Sequence, residues 1–158
     1  MSTNPTKTVA TKEEIKSLRN TIDWLRRNGD LMETDNEVNP DLEITGLQKI
    51  FDGAHPMLFN NVKGMPHARA VTNLFSDIDV VDRMFGFDGP VDRTRKIAKA
   101  LNNPTKPNIV GVDEAPCQEH VITDDLDVNK WITAIRHTEL ESELTIGSGI
   151  RCVAGEYF

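Results

Sequence analysis

The chain has 158 residues, 38% of them hydrophobic, enough to bury a core of ordinary domain size. Eighteen Lys and Arg against 25 Asp and Glu leave a net charge of -7 with no long block of one sign, which disfavours general nucleic-acid binding because that needs a concentrated cationic face. The two cysteines, Cys117 and Cys152, make neither a disulfide framework nor a Cys-x-x-Cys pair, and no run of about 18 apolar residues is available to span a bilayer, so a cytoplasmic, membrane-free protein is expected.

Residues 1–10 are polar, lack an apolar signal-peptide core and are expected to be disordered. Thr11 and Glu14 then have the spacing of a capping box, and Ile15, Leu18, Ile22 and Leu25 follow at helical steps until Gly29 stops the run. Leu31 to Val38 alternates like an exposed or edge strand. Asn39 and Pro40 carry the cap and first-turn chemistry of a second helix, ending near Phe51. The short apolar runs "PMLFNNV" and "ARAVTNLF", separated by Lys63-Gly64, predict a connected strand pair.

Ser76 is expected to open a short helix that Gly86 closes. A further helix, "GPVDRTRKIAKAL", has Pro90 in its first turn, with Val91, Ile97, Ala98 and Leu101 expected to face inward. Asn102 to Asn108 has the Pro and Asn content of a linker, and the segments "IVGV", "EHVIT" and "WITAI" beyond it are β-prone. The order of elements predicts an α+β fold, divided into a mixed α/β domain over 11–103 and a β-rich unit over 104–158.

Local chemistry yields no assembled active site. Cys117, Glu119 and His120 are neighbours in "APCQEH", but a nucleophilic thiol needs a base held near it in space, and a buried inert cysteine is the commoner case. Cys117, His120, His137 and Glu139 lack the paired spacing of a zinc site, while His55 and His67 stand alone in turn-rich stretches. Gly147, Ser148 and Gly149 are spaced like a phosphate cradle, yet Cys152 replaces the third glycine of a dinucleotide fingerprint and no amphipathic helix follows, so a turn into a strand is the expected reading. Arg93, Arg95, Lys96 and Lys99 read as a solvated helix face or a docking surface, and Glu139, Glu141 and Glu143 as solvated carboxylates.

Three longer stretches carry a family likeness: "LRNTIDWLRRNGDLMETDNEVNPDLEITGL", "HPMLFNNVKGMPHARAVTNLFSDIDVVDRMFG" and "KPNIVGVDEAPCQEHVITDDLDVNKW". In order and content they resemble the front of the UbiD-like decarboxylases and carboxylases, with "APCQE" similar to the hydroxybenzoate branch. The resemblance implies an N-terminal α/β domain followed by the first strands of a split-barrel-like flavin-binding domain. It also implies prenylated FMN with a divalent metal such as manganese and potassium, an aromatic or unsaturated carboxylic acid as substrate, and an oligomeric enzyme. Such a cofactor serves as the electron sink when CO2 leaves an aromatic carbon.

The family's metal ligands and its Glu-Arg-Glu set are expected beyond Phe158, so no catalytic or metal residue is carried onto this chain. Gly147, Ser148 and Gly149 alone would lie near the flavin edge. Ile146 to Phe158 would expose apolar surface and favour edge-strand association if the following sheet were missing. The alternatives are a non-catalytic small subunit that docks onto a larger carboxylase subunit, and a small enzyme built on Cys117 with His120 or His137.

Overall fold

The computed structural model describes residues 7–115, 121, 123–124 and 135–138. These form five α-helices, a three-stranded sheet and one 3-10 turn, an α+β arrangement.

The expected first helix is two. Thr11 and Glu14 do close a capping box, but the helix it starts, α1 (Lys12–Ile15), lasts one turn. Ser17 takes extended backbone and accepts from the Asn20 amide, starting α2 (Leu18–Asn28) afresh. Leu18 is therefore 50% exposed rather than part of the buried stripe, and Trp24 with Leu25 supplies the burial instead. Gly29 ends α2 in the left-handed conformation, as expected of a C-cap glycine.

β1 (Met32–Val38) leads into a tight turn in which the Asn39 side chain accepts from the Asp41 amide. That bond, with left-handed Leu42, delays α3 to Glu43–Ile50, later than the Asn39-Pro40 signature predicted. β2 (Met57–Val62) runs parallel to β1, so β1, α3 and β2 form a parallel crossover unit. β3 (Ala70–Thr72) pairs antiparallel with β2, which confirms the strand pair but in shorter form, since Asn73 at positive φ turns the chain out of the sheet. Among the described residues the strand order β1-β2-β3 leaves β1 at an edge.

β2 is buried at Met57, Leu58 and Phe59 in succession, the pattern of a central strand covered on both faces. One core gathers Val38, Ile44, Met57, Phe59, Val62 and Ala70. A second joins Trp24 and Leu25 of α2 to Val80 and Met84 of α4 (Ile78–Phe85). Asp77, one residue later than the expected Ser76, caps α4, and Gly86 closes it.

α5 (Gly89–Asn102) departs furthest from expectation. Arg93 reaches inward and holds Asp82 through both oxygens at 2.7 and 2.9 Å, and the Lys96 ammonium lies 2.8 Å from the Gly86 carbonyl oxygen and 5.9 Å from the Phe87 ring centre. The polar face thus meets the body, while Val91, Ile97 and Leu101 stand 70%, 45% and 77% exposed and Ala98 is exposed as well.

Two further expectations change. Lys7 to Ala10, inside the stretch read as disordered, is tied down: Thr8 donates its amide to Asn28 at 2.6 Å and Ala10 donates to the Arg83 carbonyl at 3.0 Å. The "IVGV" segment contains no strand and ends in a 3-10 turn at Val112–Glu114. "EHVIT" and "WITAI" fall largely outside the described residues.

Residues 135–138 return to the first core. Ile135 packs against it, Arg136 donates its amide to Pro40 at 2.9 Å and its guanidinium to Asp41 at 3.0 Å, and Thr45 donates to the Arg136 carbonyl at 2.8 Å. Replacing Ile135 by Asp puts a charge against that apolar cluster and is expected to lower stability by about 2 kcal/mol. Urea unfolding checks it; an unchanged midpoint would mean that the returning segment is not part of the core.

Candidate functional site

Much of the chemistry that the sequence raised falls beyond the described residues. Cys117, Glu119, His120, Glu139, Glu141, Glu143 and the Gly147, Ser148, Gly149 turn all lie outside them. His67 and His137 are exposed. Among the described residues no group of three or more His, Cys, Asp or Glu side chains could hold a metal ion, and no helix is long and apolar enough to cross a membrane.

Two polar constellations that sequence reading missed are brought together by the fold. The first is buried. Asp30, fully enclosed where α2 hands over to β1, receives Arg83 of α4 on Oδ2 at 2.6 Å. Lys7 approaches Oδ1 to 2.8 Å as a charge contact without hydrogen-bond alignment. The Arg83 guanidinium also lies 5.6 Å from the centre of the Trp24 ring. Arg83 follows Asp30 by 53 positions, a separation at which no local pattern signals the pair.

The second joins His55 to Asp77, with Nδ1 and Oδ2 2.8 Å apart. A histidine oriented by a carboxylate is also the geometry of a general base. Here the other Asp77 oxygen accepts from the Asp79 and Val80 amides as the cap of α4. The adjacent Ser76 hydroxyl lies 2.8 Å from the Ala54 carbonyl oxygen and 3.0 Å from that of Asn73, so it braces the turn and does not face the imidazole as a nucleophile. The pair is a fastening between the α3–β2 loop and α4.

Burial pushes the Asp77 carboxyl up, but the Val80 and Asp79 amides and His55 together outweigh it and hold the group below its usual range. A depressed carboxylate contributes stability that is complete above its unfolded value, about pH 4, and is lost as pH falls through the folded value. Asp77→Ala is expected to lower stability by about 1 kcal/mol at neutral pH. Asp77→Asn should match the native protein more closely as the pH drops below about 4. Urea midpoints against pH check both; a difference between Asp and Asn that ignores pH would mean that the cap does not depend on charge.

Residues 22–105, more than half of the chain, match the family described as the 3-octaprenyl-4-hydroxybenzoate carboxy-lyase N-terminal domain. The chain is 30% identical over 131 residues to gallate decarboxylase of Lactiplantibacillus plantarum, covering 75% of this chain and 26% of that protein. It is similar in structure to an evolved dimeric form of the UbiD-class enzyme HmfF from Pelotomaculum thermopropionicum in complex with prFMN, with a TM-score of 0.66 and 32% identity over 77% of this chain and 28% of that one. The closed form of vanillic acid decarboxylase from Sedimentibacter hydroxybenzoicus gives a TM-score of 0.67 and 26% identity over 78% of this chain and 28% of that one. The chain spans about a quarter of the length of the curated relatives it matches. Through the domain formed by its residues 22–105, whose sheet, crossover helix and capped α4 have just been described, this chain belongs to the UbiD family.

Proposed function

We propose that the chain is the N-terminal part of a UbiD-like decarboxylase or carboxylase acting on aromatic or unsaturated carboxylic acids with prenylated FMN, the catalytic residues lying beyond Phe158. The observation that carries this is the family match over residues 22–105, supported by likeness to an enzyme whose structure holds prFMN and to decarboxylases of gallate and vanillic acid.

Among the described residues no cluster of side chains fits a divalent metal. Asp77, Asp82 and Asp30 are committed to a helix cap and to ion pairs. No chemical step is therefore assigned to them. In this reading Gly147, Ser148 and Gly149 border the flavin, a divalent metal and potassium accompany it, and the described body supports the domain that carries the reaction.

The test is to isolate the polypeptide that carries this segment in its own cells and to compare it with the 158-residue chain. The expected result is a longer polypeptide that retains a flavin and releases CO2 from an aromatic acid, while the 158-residue chain alone does neither. A 158-residue chain that binds flavin and decarboxylates unaided would overturn the reading.

A further inference from the structure

α5 is amphipathic, but mounted with its polar face against the body. Val91, Thr94, Ala98 and Leu101 follow at steps of three, four and three, and Ile97 lies beside them, giving an apolar stripe along the helix. None of these residues is buried, and no residue of α5 is. The helix is held instead by Arg93 on Asp82 and by Lys96 against Gly86 and Phe87. An exposed helix with no partner gains nothing from such a stripe, so the pattern implies a surface that covers it.

The charges beside the stripe narrow what that surface is. Arg95, four residues after Val91 and three before Ala98, lines one margin, and exposed Lys99 lies just beyond it. A second copy packed antiparallel about a two-fold axis would bring the two Arg95 guanidiniums together and would add the repulsion of -7 on each chain. A cationic margin calls instead for carboxylates around an apolar groove. α5 also lies inside the family-matched residues, and nearly three quarters of the length of the solved relatives lies outside the part this chain covers.

On the reading given under Proposed function, we infer that the Val91–Leu101 stripe of α5 is the seat on which the following, flavin-carrying part of the same polypeptide docks, through an apolar groove edged by carboxylates. This differs from docking through the basic face as a whole, because Arg93 and Lys96 are spent on the body and only Arg95 and Lys99 remain at the margin.

The test places Ile97→Asp and Leu101→Asp together in the 158-residue chain and in the full polypeptide from its source cells. Both changes fall on exposed positions, so the short chain should keep its Tm and remain a monomer. The full polypeptide should lose several degrees of Tm and become several-fold more susceptible to proteolysis within residues 103–110. A flavin-loaded full polypeptide that is unmoved by the substitutions would overturn the docking alone. Equal destabilisation of both proteins would show α5 to be part of the short chain's own core and would also overturn it. A short chain that is a dimer and dissociates on substitution would make a second copy the occupant. Source cells containing only a flavin-free 17.7 kDa chain would overturn the docking and the functional reading together.

Discussion

A carboxylate with no solvent exposure sits where α2 ends and β1 begins, and three parts of the fold converge on it. Asp30 binds Arg83 from α4 and Lys7 from the N-terminal arm, while Arg83 rests over the Trp24 ring of α2. Removing a carboxylate from water costs several kcal/mol unless cations replace the lost hydration, so Asp30 fixes where both partners must lie. α4 is thereby held against α2, which allows Val80 and Met84 to close over Trp24 and Leu25. The arm follows: Lys7 reaches Asp30, Thr8 the buried Asn28 and Ala10 the Arg83 carbonyl, all from a stretch with no apolar anchor before Val9.

What is built on this junction is a platform. The β1-α3-β2 crossover, with β3 added antiparallel, supplies a small sheet buried on both faces at its central strand. His55 and Asp77 pin the loop after α3 to the start of α4. The Asp30–Arg83 and His55–Asp77 pairs, which could be mistaken for catalytic groups, are engaged in holding elements together. On the inference drawn above, the outward stripe of α5 is where this body meets the rest of the polypeptide.

Elements with local causes were legible in the sequence. The Thr11–Glu14 capping box and Gly29 and Gly86 as helix ends follow from contacts within a few residues, while the strand at Leu31 to Val38 and the β2–β3 pair were marked by short apolar runs between turn residues. Expectations failed where a competing local bond or a distant partner decided the outcome. Ser17 offered a second cap and divided the first helix, and the Asn39 side chain bonded within its own turn and delayed α3. For α5, periodicity correctly gave the stripe but not its direction, because Arg93 found Asp82 eleven positions earlier and turned the polar side inward. The Asp30–Arg83 pair left no sequence signal at all. The family was legible through three long stretches, whereas the glycines expected at the flavin edge fall outside the described residues.

The measurement that tests the account most directly is a double-mutant cycle on Asp30→Asn and Arg83→Met, read by urea unfolding of the 158-residue chain. Arg83→Met alone leaves the buried carboxylate with only half-exposed Lys7 and should cost about 3 kcal/mol. If the junction organises the fold, the double variant should be less damaged than the two single losses added together, by about 1–3 kcal/mol. Losses that add to within about 0.5 kcal/mol would contradict it, since Asp30 and Arg83 would then act independently and α4 would be held by its apolar contacts alone.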